Sequence, residues 1–275
     1  MKIAIAGLGL IGGSFAKAIA ARTRHRCIGY DTSPEILRKA LESGQIEDAS
    51  LGAFSEADIV LVALYPSAAV EFLKANSGSF KEGAIVIDLC GVKRYVTDSV
   101  NGLFPHCTFI GGHPMAGREL SGFNAAQATL YDGASMILTP GENVPAETLK
   151  TCENFFLSLG FAKITLTTPE HHDEMIAFTS QMAHIVSSAY AQNPIVYSFD
   201  GFSAGSFADM TRVAKLNENM WTELFLLNRD YLTEQLDVLI SQLTKFRKNI
   251  SEANNKELNH MLRCGREIKE QIEKR

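Results

Sequence analysis

The sequence predicts an α/β domain with a doubly wound, mainly parallel sheet, followed by an all-helical domain. Three observations lead to this fold class. Up to about residue 165, short β-like runs alternate with helical stretches. Several of the runs are apolar throughout, as expected of strands covered on both faces. From Pro169 onward, apolar residues recur at three- and four-residue spacing with few β-rich runs. We therefore expect domains at residues 1–168 and 169–275.

The predicted elements follow this pattern in order. Apolar, β-branched runs predict strands at residues 1–6, 26–30, 58–63, 84–88, 108–112, 135–139 and 162–166. Helical spacing between them predicts helices at 14–21, 34–43, 67–76 and 146–159. In the second domain the clearest helices are 170–190, 220–243 and 257–274. Because these helices cannot bury their apolar faces alone, we expect the second domain to form a homodimer.

A glycine-rich turn directly follows the first strand and opens the first helix. It reads Gly7, Leu8, Gly9, Leu10, Ile11 and Gly12, the G-x-G-x-x-G pattern. Gly7 permits a tight turn, Gly9 lets the backbone approach a pyrophosphate, and Gly12 allows close packing of helix on strand. The amide groups at the helix start then face the phosphates. This context predicts a Rossmann-type dinucleotide site, although the pattern alone also occurs in ordinary turns.

An acidic residue stands where such a site needs one. Asp31 ends the second predicted strand, nineteen positions after Gly12. A carboxylate there accepts hydrogen bonds from the adenosine ribose and repels a 2′-phosphate. No arginine follows among Thr32, Ser33 and Pro34, so we expect NAD rather than NADP. Asp31 could alternatively serve only as the cap of the helix that begins near Pro34.

Composition limits the class of protein. Hydrophobic residues make up 46% and charged residues 21% of the chain, which describes a globular protein with a full core. The net charge of −5 argues against nucleic acid as a partner. The five cysteines show no metal-binding spacing, and we expect reduced thiols and no metal. With a core strand at the first residues and no long apolar run, we expect no signal peptide, no membrane span and a cytoplasmic protein.

One histidine occupies the position where ligands collect in an α/β sheet. His113 follows the predicted strand that ends near Ile110, within the run Gly111-Gly112-His113-Pro114-Met115-Ala116-Gly117. The carboxyl ends of parallel strands form the ligand crevice. A histidine there suits a general base with a pKa near neutrality. A histidine bonded only to loop backbone is the alternative.

The chain resembles the prephenate/arogenate dehydrogenases of tyrosine biosynthesis over essentially its whole length. The resemblance is carried by the runs Gly7–Ser14, Asp88–Lys93, Gly112–Glu119, Gln181–His184 and Asp209–Ala214, followed by Met220-Trp221. It implies oxidative decarboxylation with NAD: hydride leaves C4 of the substrate ring for nicotinamide, a base takes the C4 hydroxyl proton, and carbon dioxide departs. Prephenate would give 4-hydroxyphenylpyruvate, and arogenate would give tyrosine directly.

The resemblance also implies roles for residues. His113 would be the base, His184 a second active-site histidine, and Arg212 a planar clamp for a substrate carboxylate. Glu119 would frame the substrate pocket. Many relatives have a serine at the position of Gly91, so a hydroxyl near the substrate is missing here. The bland alternatives are a core histidine at 184 and an ion pair between Arg212 and Asp209.

Two other functions stay open at this point. One is a different dehydrogenase with a helical second domain, such as a β-hydroxyacid or imine reductase, which would need another catalytic donor. The second is a non-catalytic NAD-binding regulator, for which Gly91 is the only indication. The sequence does not distinguish prephenate from arogenate, because these substrates share the ring and its carboxylate.

Overall fold

The structure, a computed structural model, describes residues 1–118 and 120–274. Among these residues, seven strands form one sheet in the order β2-β1-β3-β4-β5-β6-β7. The strands are β1 (Lys2–Ala6), β2 (Arg26–Tyr30), β3 (Ile59–Val62), β4 (Ile85–Asp88), β5 (Thr108–Pro114), β6 (Ser135–Pro140) and β7 (Lys163–Leu166). Strands β1 to β5 are mutually parallel, whereas β6 runs antiparallel to β5 and parallel to β7. The predicted mainly parallel sheet is confirmed.

Apolar clusters cover both faces of this sheet. Along β1, Ile3 and Ile5 belong to one buried cluster, while Ala4 and Ala6 belong to the other. Successive side chains of a strand point to opposite faces, so this alternation means that both faces are covered. That is why the strands are apolar without a polar alternation. The doubly wound α/β fold predicted from the sequence is confirmed.

The helices around the sheet lie close to their predicted positions. They are α1 (Leu10–Arg22), α2 (Pro34–Glu42), α3 (Pro66–Asn76), α4 (Arg94–Ser99) and α5 (Ala146–Ser158). The short helix α4 was not predicted, because six residues are too few to show an apolar period. Strand β5 also extends two residues beyond the predicted end at residue 112. Its pairing with β6, with His113 opposite Ile137, holds these last residues in the sheet.

The part of the chain after residue 168 is helical, as predicted. Its helices are α6 (Pro169–Ile176), α7 (Met182–Ala191), α8 (Gly205–Thr211), α9 (Glu218–Leu227), α10 (Arg229–Ser251) and α11 (Asn255–Ile272). Two predicted helices are interrupted. A π-helical turn at Ala177–Gln181 divides the first, and Asn228 separates α9 from α10. Both interruptions contain buried amide side chains that bond to neighbouring segments, Gln181 and Asn228.

The described chain forms two compact units, one of residues 1–228 and one beginning at Arg229. Within the second unit, α10 and α11 pack on each other. Apolar side chains of both helices nevertheless stay more than half exposed: Val238, Ile240, Leu243, Ile250, Leu262, Ile268 and Ile272. None of the helices in the described residues has the length and apolar character needed to cross a bilayer.

Candidate active site

In the glycine-rich turn between β1 and α1, backbone atoms approach so closely that side chains at Gly7 and Gly12 would clash with them. Gly7 has φ +87°, a left-handed backbone conformation that favours glycine. A Cβ on Gly12 would lie 1.8 Å from the carbonyl oxygen of Gly7, so the start of α1 packs directly on the turn. These two glycines therefore fix how the helix leaves the strand.

The start of α1 is open for a ligand. A Cβ placed on Gly9 would meet nothing within 4 Å, which leaves room beside the backbone. Gly9 is the N-cap, gives no side-chain cap, and the first turn carries no acidic residue. The amides at Leu10 and Ile11 thus belong to a first turn that has neither a side-chain cap nor an acidic residue of its own. This is the arrangement that suits a pyrophosphate at a helix N-terminus, so the turn fits a bound dinucleotide.

Asp31 lies directly after β2 and is tied to the glycine-rich turn. Its carboxylate accepts a hydrogen bond from the Leu8 amide at 2.8 Å and from the Ser33 amide at 2.9 Å. The side chain that caps α2 is Ser33, whose hydroxyl accepts from the Ile36 amide. Asp31 therefore does not act as the cap of that helix. It stands at the carboxyl edge of the sheet, beside the turn, with further lone pairs for a ribose.

His113 lies at the same edge of the sheet, but inside a strand. β4 ends at Asp88, opposite Gly111, so the last residues of β5 continue beyond β4. Glycine is required at 112, because a Cβ there would lie 2.7 Å from Ile87 and 2.8 Å from the Asp88 carbonyl. The space past β4 is filled by the segment from Leu89 to Lys93. This is how the structure brings Gly91 next to His113.

Gly91 faces both His113 and α9. A Cβ at this position would lie 4.0 Å from His113 Cε1 and 3.3 Å from a methyl carbon of Leu224. A serine would therefore fit with a small adjustment of Leu224. Its hydroxyl would lie near the imidazole, but this chain has no side chain there. The orientation of His113 must come from another group.

That group is on α6, which begins with clear local signals. The hydroxyl of Thr168 accepts from the His171 amide at 3.2 Å, Pro169 occupies the first turn, and Glu170 supplies an acid there. A helix that starts at this residue puts His172 and Asp173 in its first turns. Both side chains are fully buried.

The three side chains form a continuous hydrogen-bonded series. His113 Nδ1 lies 2.9 Å from His172 Nε2, and His172 Nδ1 lies 2.7 Å from Asp173 Oδ1. Asp173 also accepts from the backbone amides of Lys93 at 2.7 Å and Arg94 at 3.0 Å. It thereby caps the start of α4 from a distant helix. Within residues 1–118 and 120–274, Nε2 of His113 makes no hydrogen bond.

Burial controls the charge of this series. It lowers the pKa of His113 well below the ordinary value, and the nearby His172 and Lys93 lower it further. Burial likewise lowers the pKa of His172, against the opposing effect of Asp173. For Asp173 burial would raise the pKa, but the hydrogen bonds it accepts, first from His172, hold the pKa below its usual range. At neutral pH the series is therefore two uncharged imidazoles and one carboxylate.

A buried ion pair supports the backbone around His113. The ammonium group of Lys93 bonds to the carboxylate of Asp88, and it donates to the Gly112 carbonyl at 2.6 Å. Both side chains are fully buried. A fully buried pair is retained only with good geometry and further hydrogen bonds. Here it joins the end of β4 to the residue before His113.

A second group of predicted site residues surrounds α7. His184 Nδ1 donates to the Val213 carbonyl at 3.1 Å, and its ring centroid lies 3.9 Å from that of Trp221. Arg212, one residue before Val213, is exposed at the end of α8. Glu119 lies outside the described residues. Trp221 and Leu224 are three positions apart on α9. Trp221 contacts His184, and Leu224 lies beside Gly91, the residue next to His113, so α9 reaches both parts of the site.

Comparison with known proteins identifies the family. The sequence profile described as prephenate dehydrogenase, nucleotide-binding domain, matches residues 15–166. The profile described as prephenate dehydrogenase, dimerization domain, matches residues 168–264. The chain belongs to the prephenate dehydrogenase family. The resemblance drawn from the sequence motifs is thus confirmed.

Individual relatives of this family match nearly the full chain. A prephenate dehydrogenase of Bacillus subtilis is 33% identical, over 93% of this chain and 72% of its own length. The structure of an Aquifex aeolicus prephenate dehydrogenase in complex with hydroxyphenyl propionate and NAD⁺ is 29% identical, has a TM-score of 0.85, and covers 99% of this chain and 98% of its own. Synechocystis arogenate dehydrogenase is 28% identical with the same TM-score, covering 99% and 100%.

Several residues of the site have no recognisable motif in the sequence. The apolar spacing places His172 and Asp173 within one predicted helix and Asn228 within another. The signal for the first pair was its place in a run of five consecutive titratable residues at the start of the predicted helix, Glu170, His171, His172, Asp173 and Glu174. Asn228 gave no signal, because its partners become neighbours only in the folded chain.

Proposed function

We propose that this chain catalyses the NAD-dependent oxidative decarboxylation of prephenate to 4-hydroxyphenylpyruvate in tyrosine biosynthesis. The observation that carries the proposal is His113, an imidazole at the carboxyl edge of the sheet whose Nδ1 bonds to His172 and whose Nε2 makes no hydrogen bond to the described residues 1–118 and 120–274. Family membership and the similarity to an enzyme in complex with hydroxyphenyl propionate and NAD⁺ support the same reaction.

The glycine-rich turn and Asp31 are the residues that would hold NAD. The amides at the start of α1, from Leu10 onward, would bind the pyrophosphate, and Gly9 would allow its close approach. Asp31 would bind the ribose and disfavour NADP. When bound, NAD supplies the acceptor for the hydride that leaves C4 of the ring. The protein contributes binding, orientation and proton transfer.

His113 is the general base of this proposal. Nε2 accepts the proton of the substrate C4 hydroxyl, and the ring then carries a positive charge. Because burial keeps the pKa of His113 below its ordinary value, the imidazole is already unprotonated at neutral pH. No proton has to be removed from it before the reaction. Gly91, beside the ring, contributes no side chain to this step.

The remaining roles concern the substrate. Arg212 binds the ring carboxylate through its two parallel N–H groups, a geometry that lysine lacks. His184 is a second active-site histidine, and the Val213 carbonyl accepts from its Nδ1. The family resemblance gives Glu119, which lies outside the described residues, the role of framing the substrate pocket. The proximity of His184 to the segment that carries Arg212 supports treating them as one group.

We further propose that the chain is a cytoplasmic homodimer, divided near Thr168 into a dinucleotide-binding and a substrate and dimerisation domain. The exposed apolar side chains on α10 and α11 support association. The matching profile is described as a dimerization domain. An obligate interface of this kind buries more than about 2,000 Å². Sedimentation should give twice the chain mass of 30.1 kDa at micromolar concentration.

Four parallel assays test the reaction, combining prephenate or arogenate with NAD or NADP. We expect the highest kcat/KM with prephenate and NAD, accompanied by release of carbon dioxide. A higher kcat/KM with arogenate would show that arogenate is the substrate. The similarity to Synechocystis arogenate dehydrogenase is the reason for testing it. NADP preferred over NAD would overturn the role of Asp31. Binding of NAD without turnover of either substrate would overturn the enzymatic proposal.

A further inference from the structure

His113, which is partly buried, is paired with the fully buried imidazole of His172, a residue that no sequence motif assigns to the site. His113 Nδ1 and His172 Nε2 are 2.9 Å apart, with the ring planes inclined at 60°. Each neutral imidazole has one nitrogen that donates and one that accepts. In this contact one ring must therefore donate to the other. Which ring donates decides whether His113 can act as a base at Nε2.

Asp173 determines the answer. An ionised carboxylate only accepts hydrogen bonds, so the contact of 2.7 Å to His172 Nδ1 requires the proton on that nitrogen. Neutral His172 then has a bare Nε2, which can only accept. His113 must donate from Nδ1, and its own Nε2 is left unprotonated. The direction of every hydrogen bond in the series follows from the one carboxylate.

The charge state of His172 is essential to this reasoning. A protonated His172 would donate from both nitrogens. His113 would then accept at Nδ1, carry its proton on Nε2, and be unable to accept one from a substrate. Burial lowers the pKa of His172, which favours its neutral form. The buried cation of Lys93 acts in the same direction on both rings.

Asp173 cannot easily turn away from His172. Its two oxygens accept from the amides of Lys93 and Arg94, and the Arg94 side chain donates to Oδ2 at 3.3 Å. The carbonyl of Asp173 accepts from Asn228 at 2.8 Å. Asn228 in turn donates to the side chain of Gln181 at 2.8 Å. Bonds from Lys93 and Arg94 thus fix the carboxylate that orders the series, and Asn228 holds the backbone of the same residue.

We propose that His172 and Asp173 are positioning residues that hold His113 in the tautomer with an unprotonated Nε2. They act on Nδ1 of His113, at a ring to which Gly91 offers no side chain. When Nε2 takes the substrate proton, the His113 Nδ1–H bond already points at His172. The new positive charge is therefore balanced through His172 by Asp173. The role of the tautomer in turnover rests on the proposed function, whereas the tautomer itself does not.

Nitrogen NMR of isotope-labelled imidazoles tests the tautomer without any substrate. In the unmodified protein we expect His113 and His172 both protonated at Nδ1 and bare at Nε2. Signals are assigned by their loss in His113→Asn and His172→Phe. In His172→Phe, which removes the acceptor, His113 should shift towards the Nε2-protonated form. An unmodified protein with His113 protonated at Nε2 would overturn the proposal.

Steady-state kinetics tests the consequence. His172→Phe should lower kcat about 10²-fold, part of the roughly 10²–10⁴ that a positioned base contributes, while KM changes less than about 3-fold. His172→Gln retains an amide oxygen as acceptor and should recover at least about 10-fold of this loss. The control is His171→Phe, at an exposed neighbouring position whose ring contacts Glu174. It should leave kcat and KM unchanged.

The outcomes separate the two proposals. Normal kcat in a folded His172→Phe would overturn the positioning role, as would equal losses in His172→Phe and His172→Gln. If His172→Phe does not fold, the NMR spectrum of the unmodified protein and the kinetics of His172→Gln still decide. If the unmodified protein oxidises neither prephenate nor arogenate, the proposed function fails, but the spectrum still tests the tautomer.

Discussion

The glycine-rich turn and the His113 centre lie at the same edge of one sheet and are built in opposite ways. The turn works through missing side chains: Gly9 leaves room beside the backbone, Gly12 lets α1 pack directly on Gly7, and the ligand would meet backbone amides. The His113 centre works through side chains that meet from β4, β5, α4 and α6, including a buried Lys93–Asp88 pair. A substitution in the turn therefore acts by adding atoms. A substitution in the His113 centre acts by removing a hydrogen bond or an ion pair.

The largest effect should come from the centre. His113→Asn removes the base, Nε2, while keeping Cβ, Cγ and a polar amide group close to the backbone. We expect kcat to fall by roughly 10²–10⁴, the usual contribution of a general base, with NAD affinity nearly intact. Near-normal kcat would show that the base is another residue, with His184 the first candidate. Calorimetric titration with NAD provides the control for binding.

Added side-chain volume should impair the turn in two different ways: at Gly9 it should weaken NAD binding, and at Gly12 it should disturb the packing of α1. In Gly9→Ala the new methyl group meets nothing within 4 Å. The melting temperature without NAD should change little, while NAD affinity falls about 10-fold or more because close approach is lost. In Gly12→Ala the methyl would lie 1.8 Å from the Gly7 carbonyl. That variant should melt markedly lower even without NAD. Equal effects of both substitutions would contradict this division.

Arg212 tests whether the helical part binds substrate through charge. Arg212→Ala should raise KM for prephenate about 10-fold or more, because a charge-assisted pair contributes roughly 1.5–3 kcal/mol. Arg212→Lys should restore little of it, because lysine cannot form the two parallel bonds. Stability and NAD affinity should stay nearly unchanged. A variant that melts early and keeps its KM would make Arg212 structural.

The smallest effect should be that of filling the gap at Gly91. In Gly91→Ser the new Cβ would lie 4.0 Å from His113 Cε1, and Leu224 would have to move slightly. If His172 already fixes the tautomer of His113, the hydroxyl adds little, and kcat should change less than about 3-fold. A large rise in kcat would mean that His172 and Asp173 do not replace the missing hydroxyl. Thermal melting of the variant controls for strain against Leu224.

The two regions also differ in how far the sequence alone revealed them. The strand, the glycine spacing and Asp31 lie within the first 31 residues, so their relation could be deduced from local pattern. The position of His113 near the carboxyl edge followed from its strand. Its partner could not be deduced, because His172 is 59 positions away and reaches it only when α6 packs beside β5. Asn228 was hidden for the same reason, within what the spacing predicted to be one helix.

The domain order and the family were accessible because each depends on many residues. A sheet of apolar strands and a series of amphipathic helices remain recognisable when single elements are misjudged, as α4 and the π-helical turn were. A polar network has no such redundancy. Its members are single residues in different segments, and the hydrogen bonds between them have no periodicity in sequence.

The pH dependence of kcat with prephenate and NAD is the most direct test of His113 as the general base. A base must be unprotonated, so activity should be constant near neutral pH and fall as the pH drops through the pKa of His113. Burial disfavours the charged ring, so the midpoint of this acidic limb should lie below the ordinary histidine value of 6.5. The limb should be absent from the residual activity of His113→Asn. A midpoint above 6.5, or an unchanged limb in His113→Asn, would contradict the assignment of His113 as the base.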